Sequence, residues 1–151
     1  MLTALAALFG ATFLAATVFP FQSEVVFVAM QAAGVAPLLT LILVASAGNT
    51  LGAFVNYWIG ARLEDRGAHR WLRIDDAKFE RAKRWWLRWG IWSLLMSWAP
   101  VLGWFTVVAG AMRTPLWQFT LLVTIAKTGR FVFLGLITQY ALGLDWGRSP
   151  P

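Results

Sequence analysis

The sequence predicts an all-α integral membrane protein, built as an inverted repeat. Each half is a re-entrant helical hairpin followed by a transmembrane helix, and a cytoplasmic amphipathic helix links the halves. Three observations predict this. Of 151 residues, 59% are hydrophobic and 13% charged, against roughly half and a quarter in soluble domains. The charges cluster, so that 1–23, 25–61, 89–112 and 114–126 carry none. Two apolar stretches are interrupted in their middles by Pro20 and Pro100, residues that break a helix and free carbonyls for other partners.

The first stretch lacks the basic start of a signal peptide and stays apolar beyond Pro20. A half-helix is expected over 3–18, a break over 19–23 and a returning half-helix over 24–33, ended by Gly34 and Pro37. Each half is shorter than the ~20 residues needed to cross ~30 Å of hydrocarbon. Together they form a hairpin over about 3–33 with both ends on one side. Ser23 and Glu24 sit at its break, with Val25, Val26, Phe27 and Val28 following. A lone carboxylate in hydrocarbon is costly and needs a cation or a water-filled cavity. A broken helix carrying a charge is how many transporters build a binding site.

Residues 38–60 are long enough for a span. Gly48, Gly52, Asn56 and Gly60 recur every fourth residue, which predicts one packing face, and Gly48 with Gly52 forms a small-xxx-small pair. Asn49 and Asn56 offer amides to the broken backbone at 19–23. Residues 61–89 then turn strongly charged. Asp75 or Asp76 is expected to cap a helix with Phe79, Ala82, Trp86 and Trp89 on one side and Arg81, Arg84 and Arg88 on the other. With Trp85 added, this reads as a helix lying on an anionic leaflet, cytoplasmic by the positive-inside rule.

Residues 91–112 repeat the opening. An apolar half over 91–98 meets the turn Ala99-Pro100-Val101-Leu102-Gly103, and a second half runs to Met112 before Arg113 and Pro115. The second span covers 115–142, with Lys127 and Arg130 halfway along it and one turn apart. Gly129 and Gly135 offer close packing. One membrane domain over 1–143 and a short tail over 144–151 result, with both termini periplasmic.

Composition excludes much chemistry. Cysteine is absent and His69 is the single histidine, so thiolate, metal and most acid–base constellations are excluded. No catalytic residue, cofactor or metal is expected, and Ser23 beside Glu24 lacks a base. The net charge of +6 falls beside apolar spans, which fits lipid head groups rather than nucleic acid.

Four stretches resemble the DedA superfamily, also called SNARE-associated or VTT-domain proteins, and most of all its short YqaA-type branch. They are Pro20 with Ser23-Glu24-Val25-Val26; Gly48-Asn49-Thr50-Leu51-Gly52 with Asn56 and Gly60; Ser97-Trp98-Ala99-Pro100-Val101-Leu102-Gly103 with Ala109-Gly110 and Arg113; and Lys127 with Arg130. Trp104 stands where family members often carry an acidic residue, and Phe21-Gln22 where the turn often bears glycine. The resemblance implies a bacterial inner-membrane protein whose relatives move phospholipids or polyprenyl phosphate carriers, some with proton coupling.

The expected function is therefore lipid or lipid-phosphate translocation between leaflets. Arg130, Lys127 and Arg113 would hold the head group, and Glu24 would be the proton-sensitive partner. Membrane lipids, protons and a second copy of the chain are the candidate partners. A proton-coupled cation exporter is the first alternative, opposed by Lys127 and Arg130. A non-transporting assembly factor, with Glu24 paired only to dock two helices, is the second.

Overall fold

The structure, a computed structural model, describes residues 1–17, 22–62, 76–98 and 104–143, without the side chains of Asp76, Lys78, Phe79, Ser97 and Trp104. Pro20, Pro100 and Gly103 lie outside the described residues, as do Asp75, most of the basic linker and the tail. Among the described residues six α-helices follow in order: α1 (Leu2–Ala16), α2 (Ser23–Ala32), α3 (Leu38–Arg62), α4 (Asp76–Trp89), α5 (Trp104–Ala111) and α6 (Leu116–Leu142). A 3₁₀ segment, Gly90–Trp98, lies between α4 and α5. Among the described residues there is no strand. Helices α3 and α6, of 25 and 27 residues, are long and apolar enough to cross a membrane.

The chain divides into two compact units, Met1–Gly52 with Lys127–Pro151 and Ala53–Ala126. The first unit holds α1 and α2, which pack on each other across the short link at 17–22. The link from α2 to α3 closes through Gly34, whose φ of 61° only glycine adopts without strain. Gly34 N–H donates to Gln31 and Val35 N–H to Met30, the paired bonds that stop a helix at its C-terminus. The core comprises Leu8, Phe27, Leu41, Ile42, Ala45 and Phe131. Gly48 and Gly52 face the backbone of α1 at Phe9 and Phe13, so closely that a Cβ on either would overlap it. The contacts advance four residues on each helix, so α1 and α3 run parallel.

In the second unit α4 packs on the 3₁₀ segment and on α5. Its core holds Ala82, Trp86, Leu94, Phe105, Val108 and Phe119, among others. Gly60 lies against the Val107 carbonyl and Gly110 against the Tyr57 carbonyl, again with no room for a Cβ. The Asn56 amide donates to Thr106 Oγ1 at 3.1 Å and the Tyr57 hydroxyl to the Thr114 carbonyl at 2.6 Å.

Several expectations are corrected here. The glycine stripe is not one face. A four-residue step overshoots the 3.6-residue turn by about 40°, so Gly60 is rotated about 120° from Gly48. Gly48 and Gly52 accordingly serve α1, whereas Asn56 and Gly60 serve α5. The Asn56 amide bonds Thr106 and the Asn49 Oδ1 is buried without a partner, while most of the break before α2 lies outside the described residues. Among the described residues nothing stands within 4 Å of where a Cβ on Gly129 would lie, whereas Gly135 meets Leu38. The expected α-helical arm over 91–98 is a 3₁₀ helix instead. Three residues per turn stack Trp92, Leu95 and Trp98 in one exposed row while Ser93 and Leu94 turn inward. In α4, Trp86 belongs to the core, not the surface, and Trp89 is exposed beneath the Arg88 guanidinium, 5.9 Å from its ring centre. Trp89 is the last residue of α4, and the backbone changes at Gly90, whose φ is 60°.

Candidate functional site

Helix α2 buries a stripe one residue wide: Ser23, Phe27 and Gln31, spaced by four. Lys127, Phe131 and Gly135 form the matching buried stripe on α6. The two stripes meet in register. The rings of Phe27 and Phe131 lie 5.2 Å apart, centre to centre. One turn on, Gln31 Nε2 donates to the Gly135 carbonyl at 2.9 Å. Both pairs are separated by 104 residues in sequence, so α2 and α6 run parallel here and Ser23 falls opposite Lys127, one turn before the phenylalanines.

At that end of α2, Glu24 forms an ion pair with Arg130. The Arg130 side chain is 12% exposed and that of Glu24 29%. Lys127 is 4% exposed, and among the described residues nothing bonds its ammonium. Ser23 is 0% exposed and its Oγ has no partner. No side chain caps the N-terminus of α2, whose N-cap is Gln22. The first-turn amide groups thus project toward Ser23 and Glu24 with the positive end of the helix dipole behind them. Two cations, one carboxylate, one hydroxyl and several amide donors thus belong to the same end of the α2–α6 register. Such a set stabilises negative charge.

The remaining charged sequence candidates belong to the second unit. Arg113 belongs to the second unit, exposed, with φ of 50° at the residue that ends α5. Arg113 N–H donates to Gly110 and Thr114 N–H to Ala109, the helix-stop bonds usually built on glycine. Arg81, Arg84, Arg88 and Trp85 are exposed on α4. Ser23, expected at the hairpin turn, is the first residue of α2 and begins the buried stripe. Gln31 and Phe27 escaped the sequence reading. Their signal is the four-residue spacing from Ser23, which places a polar amide on the same face as the hydroxyl.

The VTT domain model matches residues 19–140, which include every residue of this cluster. The chain belongs to the VTT-domain (DedA) family. This VTT-domain protein is 35% identical over 140 residues to inner membrane protein YqaA of Escherichia coli K12, covering 92% of each chain. The same figures hold for inner membrane protein YqaA of Shigella flexneri. An uncharacterized protein of Haemophilus influenzae is 36% identical over 145 residues, covering 88% of this chain and 80% of its own. No solved structure matches. Family membership and the two long apolar helices make this a membrane protein.

Proposed function

We propose that this VTT-domain protein resides in the bacterial inner membrane and moves a lipid with a phosphate head group between leaflets. The observation that carries the reading is an excess of buried positive charge. Arg130 is matched by Glu24, but Lys127 is not matched among the described residues. A buried, unmatched cation beside an uncapped helix N-terminus favours an anionic ligand and disfavours a cationic drug. Protonation of Glu24 would free Arg130 for the ligand, which is how a proton gradient would drive the movement.

Helices α1 and α2, of 15 and 10 residues, reach ~22 and ~15 Å at 1.5 Å per residue, short of a ~30 Å hydrocarbon layer. They suit a re-entrant hairpin, and α5 with the segment before it suits a second one of inverted orientation. In this arrangement Arg81, Arg84 and Arg88, with Trp85 and Trp89, rest on anionic head groups at the cytoplasmic face, and both termini are periplasmic.

The test is flipping of fluorescent phosphatidylglycerol, phosphatidylethanolamine and a polyprenyl phosphate in proteoliposomes. The wild type is expected to accelerate at least one of them, and Arg130→Gln and Glu24→Gln to reduce the rate at least about tenfold, the loss of one charge-assisted hydrogen bond. No acceleration over protein-free vesicles for any lipid, or unchanged rates in both variants, contradicts the proposal.

A further inference from the structure

From the common 104-residue register we infer that Ser23, Lys127 and the first-turn amides of α2 form a seat for one phosphate-type monoanion, separate from the Glu24–Arg130 pair beside it. The inference deepens the translocation reading by naming the charge and chemistry of the ligand, and it rests on that reading only for the ligand's being a lipid.

Glu24 and Arg130 neutralise each other, which leaves the single charge of Lys127 for a ligand. Lys127 and Ser23 are each more than nine-tenths buried. The Ser23 hydroxyl has no partner, and the Glu24 carboxylate pairs with Arg130 rather than with Lys127. A buried hydroxyl left without a partner is costly, and a cation on a side chain only 4% exposed calls for a counter-charge. Both belong to stripes whose next two positions are joined, Phe27 on Phe131 and Gln31 on Gly135, so they face the same space. That space is where the uncapped N-terminus of α2 directs its amides. An ammonium, a hydroxyl and helix N-terminal N–H groups are the donors that a tetrahedral oxyanion accepts from. The Phe27–Phe131 ring contact lies one turn further along, between these groups and Gln31.

The experiment is equilibrium binding to the full chain in nanodiscs of phosphatidylcholine, with two probes in separate arms: inorganic phosphate, and short-chain phosphatidylglycerol. The wild type is expected to bind at least one probe. Lys127→Gln is expected to weaken it about tenfold or more, Ser23→Ala by a smaller factor, and Lys127→Arg to retain it. Binding of phosphatidylglycerol alone assigns the seat to a head group, and binding of phosphate in both free and lipid form assigns it to the shared oxyanion. Lys127→Arg guards against misfolding, since it keeps the charge and the length. Wild-type protein that binds neither probe, or Lys127→Gln that binds as wild type does, overturns the inference. Binding that survives in a protein with no flipping activity would instead remove the transport reading and leave the seat.

Discussion

Gly110→Leu is expected to prevent stable assembly of the second unit, and Gly60→Leu to do the same. At each of these positions the space for a Cβ is already filled by backbone, the Val107 carbonyl at Gly60 and the Tyr57 carbonyl at Gly110. A flexible side chain can swing away from an intruding methyl, but a carbonyl inside a helix cannot. The two helices would have to separate. Separation would also stretch the Asn56–Thr106 and Tyr57–Thr114 hydrogen bonds, which span the same crossing. Ordinary overpacking costs ~1–3 kcal/mol. With rigid backbone as the obstacle and two buried bonds lost besides, about 4 kcal/mol or more is expected. Loss of monodisperse protein on extraction, or a collapse of the unfolding midpoint in a denaturing detergent titration, is the reading. Gly129→Ala is the control. Nothing surrounds that glycine, so the variant should gain stability of up to ~1 kcal/mol from helix propensity. Equal behaviour of Gly110→Leu and Gly129→Ala would refute the close approach.

The second large effect concerns Glu24. Glu24→Ala is expected to destabilise the first unit by about 3 kcal/mol, because it leaves Arg130 buried without its counter-charge. The harm is increased by Lys127, one turn away on the same helix and more deeply buried. Arg130→Ala should cost less. Glu24 is the more exposed partner, and it retains the favourable field of the α2 N-terminus. Neutralising both ends, as Glu24→Gln with Arg130→Gln, should recover much of the loss, since the penalty lies in the unpaired charge rather than in the missing contact. Detergent-unfolding midpoints of the three proteins decide it. A double variant no more stable than Glu24→Ala would mean that the pair does not interact.

The helix order and most helix ends were legible in the chain. Gly34 and Pro37 punctuate α2 from α3 by local chemistry, and α3 and α6 announce themselves by length and apolarity, properties that need no tertiary knowledge. The 3₁₀ geometry of Gly90–Trp98 was not legible. An almost wholly apolar segment has no polar face to mark either period, and which wins depends on what Ser93 and Leu94 are buried against. The burial of Trp86 and exposure of Trp89 likewise depend on where the chain turns at Gly90. Within the site, the cost of isolated charge in an apolar run pointed to Glu24, Lys127 and Arg130. Which cation takes the carboxylate depends on a helix register that no local signal states. The difference of 104 becomes visible once Phe27 is seen on Phe131 and Gln31 on Gly135. Ser23 gained its role from the same register.

The most direct test of this account is proximity across that register in the membrane. The chain contains no cysteine, so paired cysteines report without background. Ser23→Cys with Lys127→Cys is predicted to cross-link under mild oxidation or with a short bismaleimide. Ser23→Cys with Gly135→Cys should not, being displaced by two helical turns, ~12 Å along the axis. Equal cross-linking of the two pairs, or none at positions 23 and 127, would contradict the seating of α2 on α6 from which the anion site follows.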